Sequence, residues 1–136
     1  MNKRKKEKSI IGRRELVDFP ELNLFGIEAK IDTGAYSSAL HCEYIKEKNG
    51  QLCFQIFKDT NTICFNDFEK KKIKNSFGDW EERYTIKTLL KIGKRKIRIT
   101  LSLTNREKMK YPVLLGRKAI KGKFLVDVEK KYLITQ

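Results

Sequence analysis

No apolar run in this 136-residue sequence approaches the roughly 20 residues that a membrane-spanning helix needs. After the basic start, Met1 to Lys8, the apolar stretch stops within two residues at Gly12-Arg13. The core of a signal peptide is several times longer, so neither a membrane association nor secretion by that route is expected. Cysteine is scarce and odd in number, at three. Reduced thiols in a cytoplasmic protein are the plain expectation. Internal repeats are absent, and low complexity is confined to the first few residues. What remains is 40% hydrophobic, with eight Phe, five Tyr and one Trp, enough to build one core. The length leaves no comfortable room for two domains. The expected organisation is a basic disordered tail over 1–9 and a single domain over 10–136.

Acidic residues are also in short supply, 17 against 31 basic ones, for a net charge of +14. Residues 3 to 8 carry five positive charges and one negative. The rest of the excess is spread over the body, notably at Lys70-Lys71-Lys72 and from Lys91 to Arg98. Such a surface attracts polyanions through counterion release, but it does not define a nucleic-acid site. No Arg/aromatic stacking platform is evident on one strand face, which argues against a basic nucleic-acid-binding barrel.

Periodicity favours strands. Phe25, Ile27, Ala29 and Ile31 alternate with Gly26, Glu28 and Lys30, the pattern of a strand with one buried face. Residues 84 to 103 alternate likewise and break only at Gly93-Lys94, predicting a hairpin. Asn49-Gly50, between Leu40–Ile45 and Leu52–Phe57, predicts a second, tight one. One short helix is expected around Arg117 to Lys121, then strands over Phe124–Val128 and Tyr132–Ile134. Many short strands with turns every eight to twelve residues indicate an all-β barrel or sandwich.

The chemistry concentrates in Ala29-Lys30-Ile31-Asp32-Thr33-Gly34-Ala35. An alternating strand delivers Asp32 into a Gly turn, where its carboxylate can face a cleft. Gly34 allows close backbone approach, and Thr33 can hydrogen-bond across the turn. An ordinary β-turn uses the same three residues, and the tripeptide alone does not separate the two. A second element does: Val113-Leu114-Leu115-Gly116-Arg117 is an apolar strand ending in Gly before a short helix.

This pair resembles the retropepsin-like aspartic peptidases, in which an Asp-Thr-Gly loop sits beside an apolar-apolar-Gly strand that precedes a helix. More narrowly, Ile11 to Glu15, Ala29 to Ala35, Ser38 to His41, Arg83-Tyr84, Asn105-Arg106, Met109 and Pro112 to Arg117 resemble one bacterial family, that of the ATP-dependent zinc proteases. The likeness runs from about residue 11 to 133. Members of that family are associated with the ligase that adds glutamate tails to a ribosomal protein. One departure is visible: the family carries Arg-Thr after Asp-Thr-Gly-Ala, where this chain has Tyr36-Ser37.

The resemblance implies an all-β, retropepsin-like acid-protease closed barrel with one short helix, homodimeric when active. It implies an aspartic endopeptidase with Asp32 as catalytic residue, Thr33, Gly34 and Ala35 as the active-site loop, and Leu114, Leu115, Gly116 and Arg117 as the supporting strand. Leu114 and Leu115 should be buried and Gly116 should pass close to the loop, with Arg117 hydrogen-bonded at a loop or dimer interface. Such enzymes need two carboxylates about 3 Å apart sharing a proton. Asp18, Asp59, Asp67, Asp79 and Asp127 lack the Thr-Gly context, so the second carboxylate is expected from another copy of the chain. Asn75 to Trp80 is the candidate flap tip, with Phe77, Gly78 and Trp80 its working residues; the alternative is a surface turn with Trp80 packed on the barrel. Nearby lysines could favour an acidic peptide, which would suit a glutamate-ligase partner. A catalytically silent peptide-binding or regulatory module assisting such a ligase is the competing reading.

Neither zinc nor ATP finds a motif. There is no Gly-x-x-x-x-Gly-Lys-Ser/Thr loop and no His-Glu-x-x-His helix. His41, Cys42, Cys53 and Cys64 contain no Cys-x-x-Cys spacing, and adjacent His41 and Cys42 point to opposite faces of a strand. That geometry also defeats a His41–Cys42 nucleophile pair. No cofactor and no metal site are expected, the cysteines being buried structural residues and the histidine satisfied by a partner.

Overall fold

The turns dictated by glycine and asparagine set the architecture of the computed structural model, which describes residues 7–57, 61–74, 77–105 and 110–134. Its strands are β1 (Ser9–Gly12), β2 (Arg14–Phe19), β3 (Leu24–Ile31), β4 (Ser38–His41), β5 (Tyr44–Lys48), β6 (Gln51–Gln55), β7 (Ile63–Phe65), β8 (Glu69–Lys74), β9 (Trp80–Ile92), β10 (Arg95–Thr104), β11 (Val113–Leu115) and β12 (Phe124–Asp127). One helical turn, α1 (Arg117–Ile120), precedes β12, and a 3₁₀ turn covers Pro20–Leu22. Residues 1–6 of the expected tail lie outside the described residues, and Ser9 is already paired with Phe124 in β1–β12.

Both expected hairpins form. β9 and β10 pair antiparallel from Arg95↔Ile92 to Leu103↔Tyr84, with Gly93 at φ 59° in the turn. Asn49 and Gly50 take φ 52° and 78°, the two positive values that a tight turn between right-twisted strands requires. Six strands close on themselves in the order β10-β4-β11-β3-β2-β9, β9 returning to β10, while β8 extends β9. Closure leaves none of these six with a free edge. Val17, Phe19, Ala29, Leu40, Ile86, Leu90, Ile92, Leu101, Val113 and Leu115 fill the interior. Among the described residues, no helix is long and apolar enough to cross a membrane.

The fold departs from the sequence expectations at several points. Phe25 is 59% exposed, because the β2–β3 register shifts between Val17 and Phe19 and Gly26, at φ 64°, resets the alternation. The bulge is pinned by the Gly26 amide, which donates to Asp18 Oδ1 (2.8 Å). The expected strand from Leu40 to Ile45 is two: β4 belongs to the barrel, while β5 starts a separate sheet, β5-β6-β7.

Tyr132–Ile134 forms no strand. Instead the fully buried carboxylate of Glu15 accepts the amides of Leu133 (3.0 Å) and Ile134 (3.1 Å), and of Gly12 (2.7 Å). A side chain thus does what a ladder strand would have done.

The cysteines, expected as reduced thiols, include a Cys53–Cys64 disulfide. The spacing of 11 carries no signature, but β6 and β7 pair Cys53 directly opposite Cys64, with Cα atoms 4.1 Å apart. Only Cys42 is free; it is buried, and burial pushes its thiol pKa up to about 12.

Candidate active site

β11 is inserted between β3 and β4, the strands that enter and leave the Asp32 turn. It runs parallel to β3 (Val113↔Ala29, Leu115↔Ile31) and antiparallel to β4 (Val113↔Leu40, Leu114↔Ala39). The ladder continues past the strand ends: the Asp32 amide donates to Leu115 O (2.8 Å) and the His41 amide to Pro112 O (2.8 Å). A short apolar strand is what this slot requires. Leu115 is buried in the core, whereas Leu114, on the alternate face, is only half-buried, against the expectation for both.

Asp32 is half-buried at the point where β3 stops. Its carbonyl accepts the Ala35 amide (3.2 Å), closing the turn, and its Oδ1 accepts the Gly34 amide (3.1 Å). The carboxylate is therefore oriented by its own loop, and among the described residues no cation lies within ion-pair distance of it. Thr33 and Gly34 are exposed. The Thr33 carbonyl accepts from the Arg117 guanidinium (3.0 Å), so Arg117 ties the end of the supporting strand to the tip of the loop within one chain.

Gly116 makes the close approach to the loop. A Cβ there would stand 2.5 Å from Ser37 O and 2.6 Å from Tyr36 O. Its φ of −89° suits any residue, so glycine is required for space and not for conformation. The Gly116 amide donates to the buried Ser38 Oγ (3.1 Å), and the next two amides, Arg117 and Lys118, donate to Ala35 O (2.8 Å) and Tyr36 O (3.0 Å). Ser38 has this role with no signal in strand periodicity beyond its place in the quoted Ser38-Ala39-Leu40-His41 stretch. Tyr36 is 58% exposed and lies beneath Arg117, whose Cζ is 5.9 Å from the ring centroid.

The structure thus brings Asp32–Ala35 together with Leu114–Arg117. Phe77, Gly78 and Trp80 sit on another element, the β8–β9 tip, with Phe77 88% and Trp80 68% exposed. Residues 75 and 76 of that tip lie outside the described residues, as do Asp59, Arg106 and Met109. Two other aspartates serve turns: Asp18 holds Gly26, and Asp127 Oδ1 accepts the Glu129 amide (3.0 Å). His41 approaches Glu43 across 3.3 Å, Cys53 and Cys64 are joined, and no cluster of three potential metal ligands occurs among the described residues.

Known proteins are similar to this chain in sequence and fold. A crystal structure of a Legionella pneumophila protein of unknown function superposes with a TM-score of 0.74 at 32% identity, covering 94% of this chain and 99% of that one. A "Probable alpha-L-glutamate ligase" of Desulfotalea psychrophila is 36% identical over 88% of this chain, and one of Shewanella halifaxensis 33% over 95%. The chain spans only 28% and 30% of the length of those two relatives. The family model that matches, over residues 10–136, is RimB-like, described as the retropepsin-like aspartic endopeptidase RimB. That description replaces the ATP-dependent zinc protease name suggested by the sequence motifs. The closed barrel is retropepsin-like, and the chain belongs to the RimB-like family of retropepsin-like aspartic endopeptidases.

Proposed function

We propose that this domain is an aspartic endopeptidase that works as a two-fold homodimer, each protomer supplying one Asp32. The observation that carries the reading is the Asp32 carboxylate, half-buried at a strand end and oriented by the Gly34 amide, on a loop locked by Gly116 and Arg117. Two such carboxylates brought together share one proton, since two negative charges that close cannot both persist. The ionised one takes a proton from water as its oxygen attacks the scissile carbonyl. The protonated one donates to the carbonyl oxygen as charge develops there. Collapse of the tetrahedral species then passes a proton to the departing amine. Phe77, Gly78 and Trp80 would close over the bound peptide, Gly78 supplying a positive φ of 85° at the tip. Cytoplasmic location and an acidic peptide substrate belong to the same reading, as does partnership with a glutamate ligase.

A peptide-library digest by wild type, by Asp32→Asn and by wild type with a chelator tests this. Cleavage should require Asp32 and ignore the chelator. Turnover that survives the substitution but stops with chelation would overturn the aspartic mechanism. A second reading, a catalytically silent peptide-binding or regulatory module beside a glutamate ligase, is favoured by the names and greater length of the curated relatives. Absence of turnover in every sample would select it.

A further inference from the structure

Directly after the Asp32 loop, a cleft of about 520 Å³, lined from Tyr36–Ser38 but by none of Asp32–Ala35, runs between the β9–β10 hairpin and α1. Its lining holds five cations, Lys71, Lys87, Arg98, Lys118 and Lys123, and no acidic residue. Two of the five are already neutralised within the chain. Arg98 makes a two-pronged contact with Glu21 (2.6 and 2.7 Å), and Lys71 pairs with Glu69 (3.5 Å). Among the described residues, no carboxylate lies within ion-pair distance of Lys87, Lys118 or Lys123. These three come from β9, α1 and the turn before β12, so the local excess of charge follows from the tertiary fold and not from a sequence run. Between them the cleft exposes parts of Ile97, Ile99 and Ala119.

We infer that this cleft is a second binding site, separate from the Asp32 site, for an acidic protein segment that carries carboxylates around an apolar side chain. Three uncompensated ammonium groups around a concave, partly apolar floor match that chemistry: the charges recruit and orient, and the floor removes apolar area from water. Single-stranded nucleic acid fits less well, because successive bases need several aromatic platforms, and Tyr36 is the one aromatic residue in the lining. Tyr36 also joins the cleft to the catalytic loop, its carbonyl holding the Lys118 amide (3.0 Å). The site does not depend on the peptidase reading, since binding requires no dyad.

The test uses the Asp32→Asn chain, which removes any turnover of the probe. A fluorescent peptide alternating Glu with Leu is titrated by anisotropy. The background chain is compared with Lys87→Gln/Lys118→Gln/Lys123→Gln and with Lys46→Gln/Lys48→Gln/Lys130→Gln, which has the same net charge. The cleft triple should weaken binding about tenfold and the control triple less than about twofold, the sum of three modest charge contacts against a change in general attraction. Amide chemical shifts of the unsubstituted background chain should move at Thr85, Ser102 and Ala119 on peptide addition, a readout that needs no cleft variant to fold. Equal weakening by both triples, no binding at all, or shifts confined to Asp32–Gly34 would overturn the inference. So would a single-stranded oligonucleotide of equal charge that binds more tightly than the peptide and loses that binding in the cleft triple.

Discussion

Gly116 and Tyr36 are in backbone contact: a Cβ on Gly116 would lie 2.6 Å from the Tyr36 carbonyl oxygen. The obstructing atoms are main chain, in a loop whose amides and carbonyls are already committed to β11 and α1. They cannot swing aside as a side chain would.

Gly116→Ala should therefore destabilise the domain by about 2–3 kcal/mol, in the range of overpacked cores, and Gly116→Val by more. Thermal unfolding should show Tm lowered by roughly 5–10 °C for the alanine variant. A variant as stable as wild type would mean that the Asp32 loop is not seated on this strand.

A similar dependence on one side chain holds at the far end of the sequence. Glu15→Ala would leave the buried amide of Gly12 and the part-buried amides of Leu133 and Ile134 without this acceptor. The expected loss is about 2–4 kcal/mol, with Glu15→Gln, which keeps one oxygen, costing less. Hydrogen exchange at Leu133 and Ile134 should accelerate in the alanine variant well beyond the change in global stability. Equal acceleration everywhere would show that Glu15 is not a local clamp.

These two cases mark what the sequence made legible. Features set by local chemistry could be read directly: the Asn49-Gly50 turn, the Gly93-Lys94 hairpin and the one-turn helix at Arg117; the pairing of Asp32 with Leu115-Gly116 came only from the family resemblance. Features set by tertiary contact could not. Glu15 looks like any strand-edge acid until the fold brings residues 133 and 134 to it, and Cys53 meets Cys64 only because β6 and β7 align in register. Phe25 misled because a bulge at Gly26 breaks the period on which alternation rests. Ser38 carries no periodic signal for a hydrogen bond to an amide 78 residues away.

The cross-strand disulfide predicts a thiol count. Without reductant, the unfolded chain should give one reactive thiol, Cys42, and three after reduction. Cys53→Ser/Cys64→Ser should cost about 2–3 kcal/mol under non-reducing conditions, the value for closing a short loop. If both chains unfold at the same denaturant concentration, the bond does not constrain the unfolded state as argued.

Cys42 adds a pH dependence of known sign. Burial raises its pKa from 9.0 to about 12, so between those values the folded state retains a proton that the unfolded state has released. Stability from this group is complete below pH 9 and declines as pH rises through the folded value, by about 1.4 kcal/mol per pH unit. Cys42→Ala removes the titration. The stability difference between wild type and variant, measured by urea unfolding from pH 8 to 11, should shrink as pH rises, and a constant difference would refute the assignment.

The decisive prediction concerns the two-fold dyad, because it separates catalysis by a pair from catalysis by single chains. If each active site takes one Asp32 from each protomer, a dimer containing one Asp32→Asn chain retains one carboxylate and cannot share a proton between two. Mixing equal amounts of wild type and Asp32→Asn, with time to exchange, leaves about a quarter of the dimers wholly wild type. Total activity should fall to about half that of the wild-type chains alone, although no wild-type protein has been removed. Chains acting singly would lose nothing on mixing. Asp32→Asn is nearly isosteric and keeps an oxygen to accept the Gly34 amide, so the variant should still fold and exchange, as sedimentation can verify. Activity that stays constant while sedimentation shows mixed dimers would place the second catalytic group within the same chain and end the dimeric mechanism.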